Sequence, residues 1–127
     1  MKTQHVVPVF QVANLGAALA FYRDVLGFEE DFRFGNYAGV KLGAINLHLA
    51  EQIAGGRSEY TKPLGSGIAY IFCDEVDGYY EQIKKRGART RYAPQDFPYG
   101  LREFMAIDLD GNHLAFGSEI EDAESGR

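Results

Sequence analysis

Side chains able to carry out chemistry are few and scattered in this sequence of 127 residues. His5 and His48 fall in or beside segments that alternate apolar and polar residues, as strands do, and His113 follows an Asp-Gly pair. The single cysteine, Cys73, ends another such segment, where a small buried hydrophobe is a commoner role than a nucleophile. The sequence has no glycine-rich phosphate loop and no Ser-His-Asp signature, so it predicts neither phosphate nor nucleophilic chemistry.

Aromatic side chains are the more unusual feature, with nine Phe and eight Tyr but no Trp. Two of the phenylalanines share one face of a predicted strand, and several other rings fall in linker or loop segments, which normally bury few rings. Such rings predict a surface for a flat ligand, and the alternative for each is a hydrophobic plug beneath its own loop. The candidates are Phe32, Phe34, Tyr37, Tyr60, Phe97 and Tyr99.

Two similar halves of the chain must position these residues. In each half an alternating strand segment leads into a helical pattern and then into three further strand segments. Asn14 and Gly27 are typical start and stop residues for a first helix over 15–26, and apolar spacing predicts a second over 76–86. The predicted strands are 6–12, 28–34, 37–42, 45–50, 67–73, 89–92, 103–108 and 112–117, with a loop over 93–100.

The repeat predicts an α+β fold in which two β-α-β-β-β modules form one cupped mixed sheet. The modules span about 5–52 and 66–118, a linker covers about 53–65, and a single domain therefore covers 1–118. Residues 119–127 are acidic and predict a flexible tail. A ligand site is expected where the two halves of the sheet curve together.

The bulk composition restricts the partners. A net charge of −5 argues against nucleic acid or an anionic membrane as the main partner. No apolar run approaches the roughly 18 residues of a membrane span, and the first residues lack the apolar core of a signal peptide. With one cysteine no disulfide can form within the chain, so the cytoplasm is the expected location.

The motifs resemble those of the vicinal-oxygen-chelate superfamily, which includes glyoxalases, dioxygenases and bleomycin-resistance proteins. The broad likeness rests on the segments VANL (12–15), FYRDVLGF (21–28) and DLDGN (108–112). A narrower likeness to the bleomycin-resistance proteins rests on VPV (7–9), GFEEDF (27–32), YAGV (37–40), INLHL (45–49) and GLREF (100–104). The resemblance implies a homodimer whose first strand is exchanged between subunits, and Pro8 within that strand suits a hinge.

Enzymes of the superfamily hold a divalent metal on four strand positions. Matching the motifs places those positions at Val7, His48, Ile68 and Ala115, and three of the four are aliphatic. His5, two residues before Val7, is on the same face of the strand and gives at most a second donor. The sequence therefore predicts no catalytic residues, no metal site and no cofactor, and favours a binding protein over an enzyme.

The narrower resemblance implies sequestration of bleomycin-type glycopeptide antibiotics in aromatic grooves at a dimer interface, without turnover. Such drugs carry a flat bithiazole, a cationic tail and a metal-chelating head, so the ligand itself can arrive as a metal chelate. Some relatives stack the bithiazole on a tryptophan, which Phe or Tyr must replace here. His48 is expected to form a hydrogen bond in the groove or to be a half-buried structural histidine, and Arg102 to line the groove or to make a cross-strand pair.

Two other functions stay open at this point. One is a metal-dependent lyase, transferase or dioxygenase of the glyoxalase type, and the other is a binding module for an unknown small metabolite. The predicted ligand-binding set is Phe32, Phe34, Tyr37, His48, Tyr60, Phe97, Tyr99 and Arg102.

Overall fold

Each half of the chain folds as a strand, a helix and three further strands. The structure, a computed structural model, describes residues 1–52 and 64–120. The first half consists of β1 (Val9–Val12), α1 (Leu15–Asp24), β2 (Glu29–Phe34), β3 (Tyr37–Leu42) and β4 (Ile45–Glu51). The second consists of β5 (Ile68–Phe72), α2 (Val76–Lys85), β6 (Arg89–Asp96), β7 (Leu101–Ile107) and β8 (His113–Glu119).

The strands form two four-stranded mixed sheets of the same design, with the orders β1-β4-β3-β2 and β5-β8-β7-β6. In each sheet the first strand of the module pairs in parallel with the last, and the remaining pairs are antiparallel. The predicted α+β fold with two β-α-β-β-β modules is therefore confirmed. In the part of the chain described, neither helix is long and apolar enough to cross a membrane.

Each helix covers one face of its own sheet. Leu15, Ala18, Leu19 and Tyr22 of α1 are buried, and so are Val76 and Ile83 of α2. Asn14 starts α1 as expected, because its side-chain oxygen accepts a hydrogen bond of 2.8 Å from the backbone N–H of Ala17. The sheet residues that face the helices are the alternate apolar positions of each strand, such as Leu47 and Leu49 or Phe104 and Ala106.

The turn between β7 and β8 joins the two modules. The buried carboxylate of Asp108 accepts a hydrogen bond of 2.8 Å from the hydroxyl of Tyr22 in α1. Asp110 accepts one of 3.0 Å from the backbone N–H of Ala13, and Asn112 donates one of 3.1 Å to the carbonyl of Gln11. The predicted hairpin turn at Asp110-Gly111 is present, and its acidic residues hold the first module in place.

Several element boundaries differ from the prediction, among them those of β1, β6 and β8. β1 begins after Pro8 rather than containing it, and the Pro8 carbonyl accepts a hydrogen bond from the His48 N–H. β6 runs on through Pro94 to Asp96, where a loop was predicted; it is an edge strand, so the missing proline N–H leaves no ladder bond unmade. β8 continues to Glu119, the first residue of the predicted tail, and residues 121–127 of that tail lie outside the described residues, as does most of the predicted linker.

Candidate functional site

The face of each sheet that is turned away from its helix, here called the open face, carries most of the candidate residues. Strand alternation decides which side chains reach it. On β7, Phe104 and Ala106 are buried in the core, so Glu103 and Met105 belong to the open face. On β4 the same argument assigns His48 to the open face, between the buried Leu47 and Leu49.

Four side chains of the second module form a cluster around one carboxylate, and we call Tyr70, Tyr92, Tyr99 and Glu103 the glutamate cluster. Glu103 Oε1 accepts hydrogen bonds of 2.8 Å from the hydroxyls of both Tyr70 and Tyr99. Glu103 Oε2 accepts one of 2.5 Å from the hydroxyl of Tyr92. Three strands and the β6–β7 loop thus converge on a glutamate that is only 4% exposed.

The hydrogen bonds fix the charge state of the cluster. Burial by itself raises the pKa of the Glu103 carboxyl, but the hydroxyls of Tyr92, Tyr70 and Tyr99 outweigh it and hold that pKa below its ordinary value. Burial, and then the hydrogen bond to Glu103, raise the pKa of each of the three tyrosines. At neutral pH the carboxylate is therefore ionised and all three phenols are protonated.

A glycine makes room for the cluster. Gly117 on β8 is paired in register with Glu103 on β7. A Cβ atom added at Gly117 would lie 2.1 Å from the hydroxyl oxygen of Tyr70. Any larger residue would therefore push the Tyr70 hydroxyl away from Glu103.

Further rings extend the glutamate cluster into an aromatic surface. Phe97 stacks on Tyr99 with a centroid distance of 5.3 Å and an angle of 9° between planes, and it meets Tyr92 edge-on. Phe72 lies 5.0 Å from Tyr70 and is 64% exposed, while Tyr99 is 61% exposed. The two loop aromatics proposed from the sequence, Phe97 and Tyr99, are therefore brought together, with Tyr99 largely open to solvent.

The first module carries a second group of rings, which we call the histidine cluster: Phe32, Tyr37 and His48. A hydrogen bond of 2.9 Å joins the Tyr37 hydroxyl and His48 Nδ1. Phe32 stacks with Tyr37 at 6.3 Å and meets the His48 ring edge-on at 5.2 Å. The Phe32 ring lies against Gly39, where an added Cβ would come within 2.2 Å of Cε2.

Two described residues of the predicted set, Phe34 and Arg102, join neither cluster. Phe34 lies at the end of β2 and is 84% exposed. Arg102 forms a bidentate pair with Asp77 of α2, at 2.9 Å to each oxygen, and a third bond to Asp96; it therefore lies on the helix side of β7, not on the open face with Glu103. Tyr60 falls outside the described residues.

The centre of the glutamate cluster was not predicted from the sequence. Glu103, Tyr70, Tyr92 and Phe72 were not proposed, although the alternation of Ile68, Tyr70 and Phe72 with Ala69 and Ile71 is a visible signal. Glu103 could have been assigned to the opposite face from Phe104 by the same rule. The pairing of Tyr70 with Glu103 is a tertiary contact that no local pattern contains.

Within the part of the chain that the structure describes, the donors that a divalent metal needs are not brought together. Val7, Ile68 and Ala115 offer no ligand atom, and His48 is engaged with Tyr37. Across residues 1–52 and 64–120, no group of three or more His, Cys, Asp or Glu side chains could hold a metal ion. These residues therefore do not fit the metal centre that the superfamily's enzymes use.

A cavity of about 270 Å³ lies between the N-terminal segment, β4 and β5. Its lining is largely apolar and includes His5, Pro8, Asn46 and Tyr70. Its volume is slightly below the roughly 300–1,000 Å³ of typical drug-sized pockets. A glycopeptide antibiotic is larger still, so this cavity cannot enclose one.

The chain is an α+β protein built from two β-α-β-β-β modules, whose four-stranded sheets have matching strand orders. The sequence model of the Glyoxalase/Bleomycin resistance protein/Dioxygenase superfamily matches residues 2–116. The chain therefore belongs to this superfamily, as its motifs indicated. No curated protein matches the sequence significantly.

Solved structures share the fold over nearly the whole chain. A bleomycin-binding protein from bleomycin-producing Streptomyces verticillus, complexed with copper(II)-bleomycin, is 26% identical, with a TM-score of 0.73 over 96% of this chain and 99% of that one. TioX from Micromonospora sp. ML1 is 21% identical, with a TM-score of 0.76, and the match covers 93% of this chain and 100% of TioX. Lactoylglutathione lyase from Agrobacterium tumefaciens is 23% identical, with a TM-score of 0.73, and the match covers 92% of this chain and 95% of the lyase chain. The last two show the fold alone.

Proposed function

We propose that the protein binds and sequesters a flat, cationic antibiotic of the bleomycin type and does not convert it. The observation that carries the proposal is the aromatic surface around Glu103, where the stacked Phe97–Tyr99 pair adjoins an ionised carboxylate. Stacking a heteroaromatic ring on such a surface contributes about 0.5–1.5 kcal/mol per pair beyond area burial. A cationic tail is attracted by both the rings and the negative charge.

The comparison with the Streptomyces verticillus protein supports this ligand class. That protein is a bleomycin-binding protein, and its sequence identity of 26% extends over 96% of the present chain. The lack of donors at Val7, Ile68 and Ala115 supports binding without chemistry, because metal-dependent turnover needs several ligands at once. The drug can enter as its own metal chelate, with no cofactor held by the protein.

A homodimer is part of the proposal. The cavity of about 270 Å³ is too small for the drug, and in the proposed dimer a second chain completes the groove. Ile68 and Phe72 lie 67% and 64% exposed on the open face of β5, and a second copy would cover such residues. In this structure β1 pairs with β4 of its own chain, and its exchange between subunits is proposed from the family likeness. We place the dimer in the cytoplasm because the lone Cys73 forms no disulfide within the chain.

The test is equilibrium dialysis of the metal-analysed protein against copper(II)-bleomycin, followed by mass spectrometry of the recovered drug. We expect about one drug retained per chain, with its mass unchanged after long incubation. Loss of the drug to a product of different mass, or zinc, nickel, manganese or iron bound stoichiometrically before drug is added, would favour the metal-dependent enzyme. Absence of retention would favour a cellular metabolite as ligand.

A further inference from the structure

The glutamate cluster has an unusual balance of donors and acceptors. A phenol has a single hydroxyl hydrogen, and Tyr70, Tyr92 and Tyr99 each donate theirs to Glu103. Towards a ligand, these three oxygens can therefore act only as acceptors. A ligand group bound there must supply hydrogen-bond donors.

The charge of the cluster points the same way. Within residues 1–52 and 64–120, no Lys, Arg or His lies in an ion pair with Glu103. Arg102, its neighbour in sequence, is instead paired with Asp77 and Asp96 on the helix side of the strand. Arg91 lies near enough to oppose the rise in the pKa of Tyr92, but it makes no ion pair with Glu103. The carboxylate therefore keeps a negative charge that is shared with three phenols and held in no ion pair within this part of the chain.

The surrounding rings complete a cation site. Phe97 and Tyr99 stack beside the carboxylate, and Phe72 lies next to Tyr70. Ring faces attract a cation, and more strongly when water is excluded. Acceptor oxygens, ring faces and a negative charge that is in no ion pair are together complementary to one kind of ligand group.

We propose that the glutamate cluster is the subsite for an N–H-bearing cation of the ligand, namely a guanidinium, an amidinium or a primary ammonium. The phenol oxygens of Tyr70, Tyr92 and Tyr99 accept its N–H groups, and Glu103 supplies the charge from behind them. Glu103 is a positioning residue, because it orients the phenols and does not itself touch the ligand. The assignment rests on the proposed function for the identity of the whole ligand, whereas the cation preference rests on the cluster alone.

The test uses two pairs of probes on the full chain. One pair is a bleomycin whose tail ends in a guanidinium and the same drug with its tail removed to leave a carboxylate. The other pair is n-butylguanidinium and its neutral isostere n-butylurea, followed by NMR of the tyrosine rings. We compare the wild type with Glu103→Gln, with Tyr99→Phe, which changes a largely exposed side chain, and with Tyr80→Phe as a control on the helix side.

We expect the wild type and Tyr80→Phe to prefer the guanidinium drug by at least about tenfold, or about 1.4 kcal/mol. In Glu103→Gln the preference falls to within about twofold, and in Tyr99→Phe it falls part of the way. Butylguanidinium shifts the tyrosine signals in the wild type, and butylurea does not.

Each failure has its own signature. If both drugs bind equally well and Glu103→Gln changes nothing, the cation subsite is wrong and drug sequestration stands. If neither drug binds but butylguanidinium still shifts the tyrosine signals, the subsite stands and the drug assignment is wrong. If no probe binds at all, both are overturned.

Discussion

At the scale of single residues, Glu103 and its three tyrosines stabilise one another's charge states. The hydroxyls lower the pKa of the carboxyl, and burial together with the carboxylate raises the pKa values of the phenols. A phenol whose folded pKa is raised contributes stability that is complete below its unfolded value of 10.0. That contribution is lost as the pH rises through the higher folded values.

This coupling predicts an altered alkaline titration in Glu103→Gln. Without the negative charge, Tyr70, Tyr92 and Tyr99 ionise at lower pH than in the wild type, although burial still holds Tyr70 and Tyr92 above 10.0. Ultraviolet difference absorbance of tyrosinate measures the change. Tyr79 is an internal control, because burial and not Glu103 raises its pKa. Identical titration curves for the two proteins would mean that the carboxylate does not hold the phenols.

These residues show which parts of the site could be predicted from the sequence. Phe97 and Tyr99 were proposed because loops normally bury few aromatic rings, and the structure brings these two rings together. Arg102 was proposed although strand alternation assigns it to the side of Phe104, where it pairs with Asp77. Neither alternation nor composition could pair Tyr70 with Glu103, because that contact depends on β5, β8 and β7 lying side by side.

At the scale of elements, each sheet has a glycine under one ring of its open face. Gly39 is paired with His48 and lies under Phe32, while Gly117 is paired with Glu103 and lies under Tyr70. Both rings are partly exposed, so each is able to move aside if its glycine is replaced. Glycine at these strand positions is explained by the close approach of a ring, since it otherwise weakens a strand.

Gly117→Ala is therefore expected to lower both ligand affinity and stability. The new Cβ would displace Tyr70, which loses a hydrogen bond to a charged group worth about 1.5–3 kcal/mol, and drug affinity falls by about tenfold or more. Calorimetric binding and denaturant unfolding separate the two effects. Gly78→Ala in α2 is the matched control: the added Cβ would make only an ordinary contact of 3.9 Å with Glu75 Oε1, and it should raise stability by roughly 0.5–1 kcal/mol without changing affinity. Equal affinity in Gly117→Ala and the wild type would contradict a role for Tyr70.

The turn between β7 and β8 gives a second element-scale prediction. Tyr22→Phe removes the hydroxyl that Asp108 binds at 2.8 Å and leaves a buried carboxylate with one donor fewer. We expect the free energy of unfolding to fall by about 1.5–3 kcal/mol. Tyr80→Phe, which removes a hydroxyl from a half-buried ring beside Phe104, should change it by less than about 0.5 kcal/mol. Similar losses in both variants would show that the turn does not tie the modules together.

Most elements were predictable because their signals are local. Asn14 and the helical spacing of the following apolar residues predict α1. The alternation of apolar and polar residues predicts β3 and β4. The length of β6 was not predictable, because Pro94 is tolerated only in a strand that turns out to lie at the sheet edge. Edge position is a property of the assembled sheet and not of the segment.

At the scale of the whole molecule, the proposed drug groove lies between two copies of the chain. We predict that the purified protein has twice the mass of 14.1 kDa that one chain has, as measured by light scattering. Phe72→Glu introduces a charge on the exposed open face of β5, and it should shift the mass towards that of the monomer and weaken drug binding together. A monomeric wild type that still binds the drug tightly would overturn the shared groove.

The central claim, that this chain captures a bleomycin-type drug, is tested most directly by calorimetric titration of the wild type with copper(II)-bleomycin. We predict about one drug per chain with a Kd of about 1 μM or tighter, equivalent to at least about 8 kcal/mol. A titration without heat at several temperatures, with the protein shown to be folded, would contradict the claim and leave only the superfamily fold.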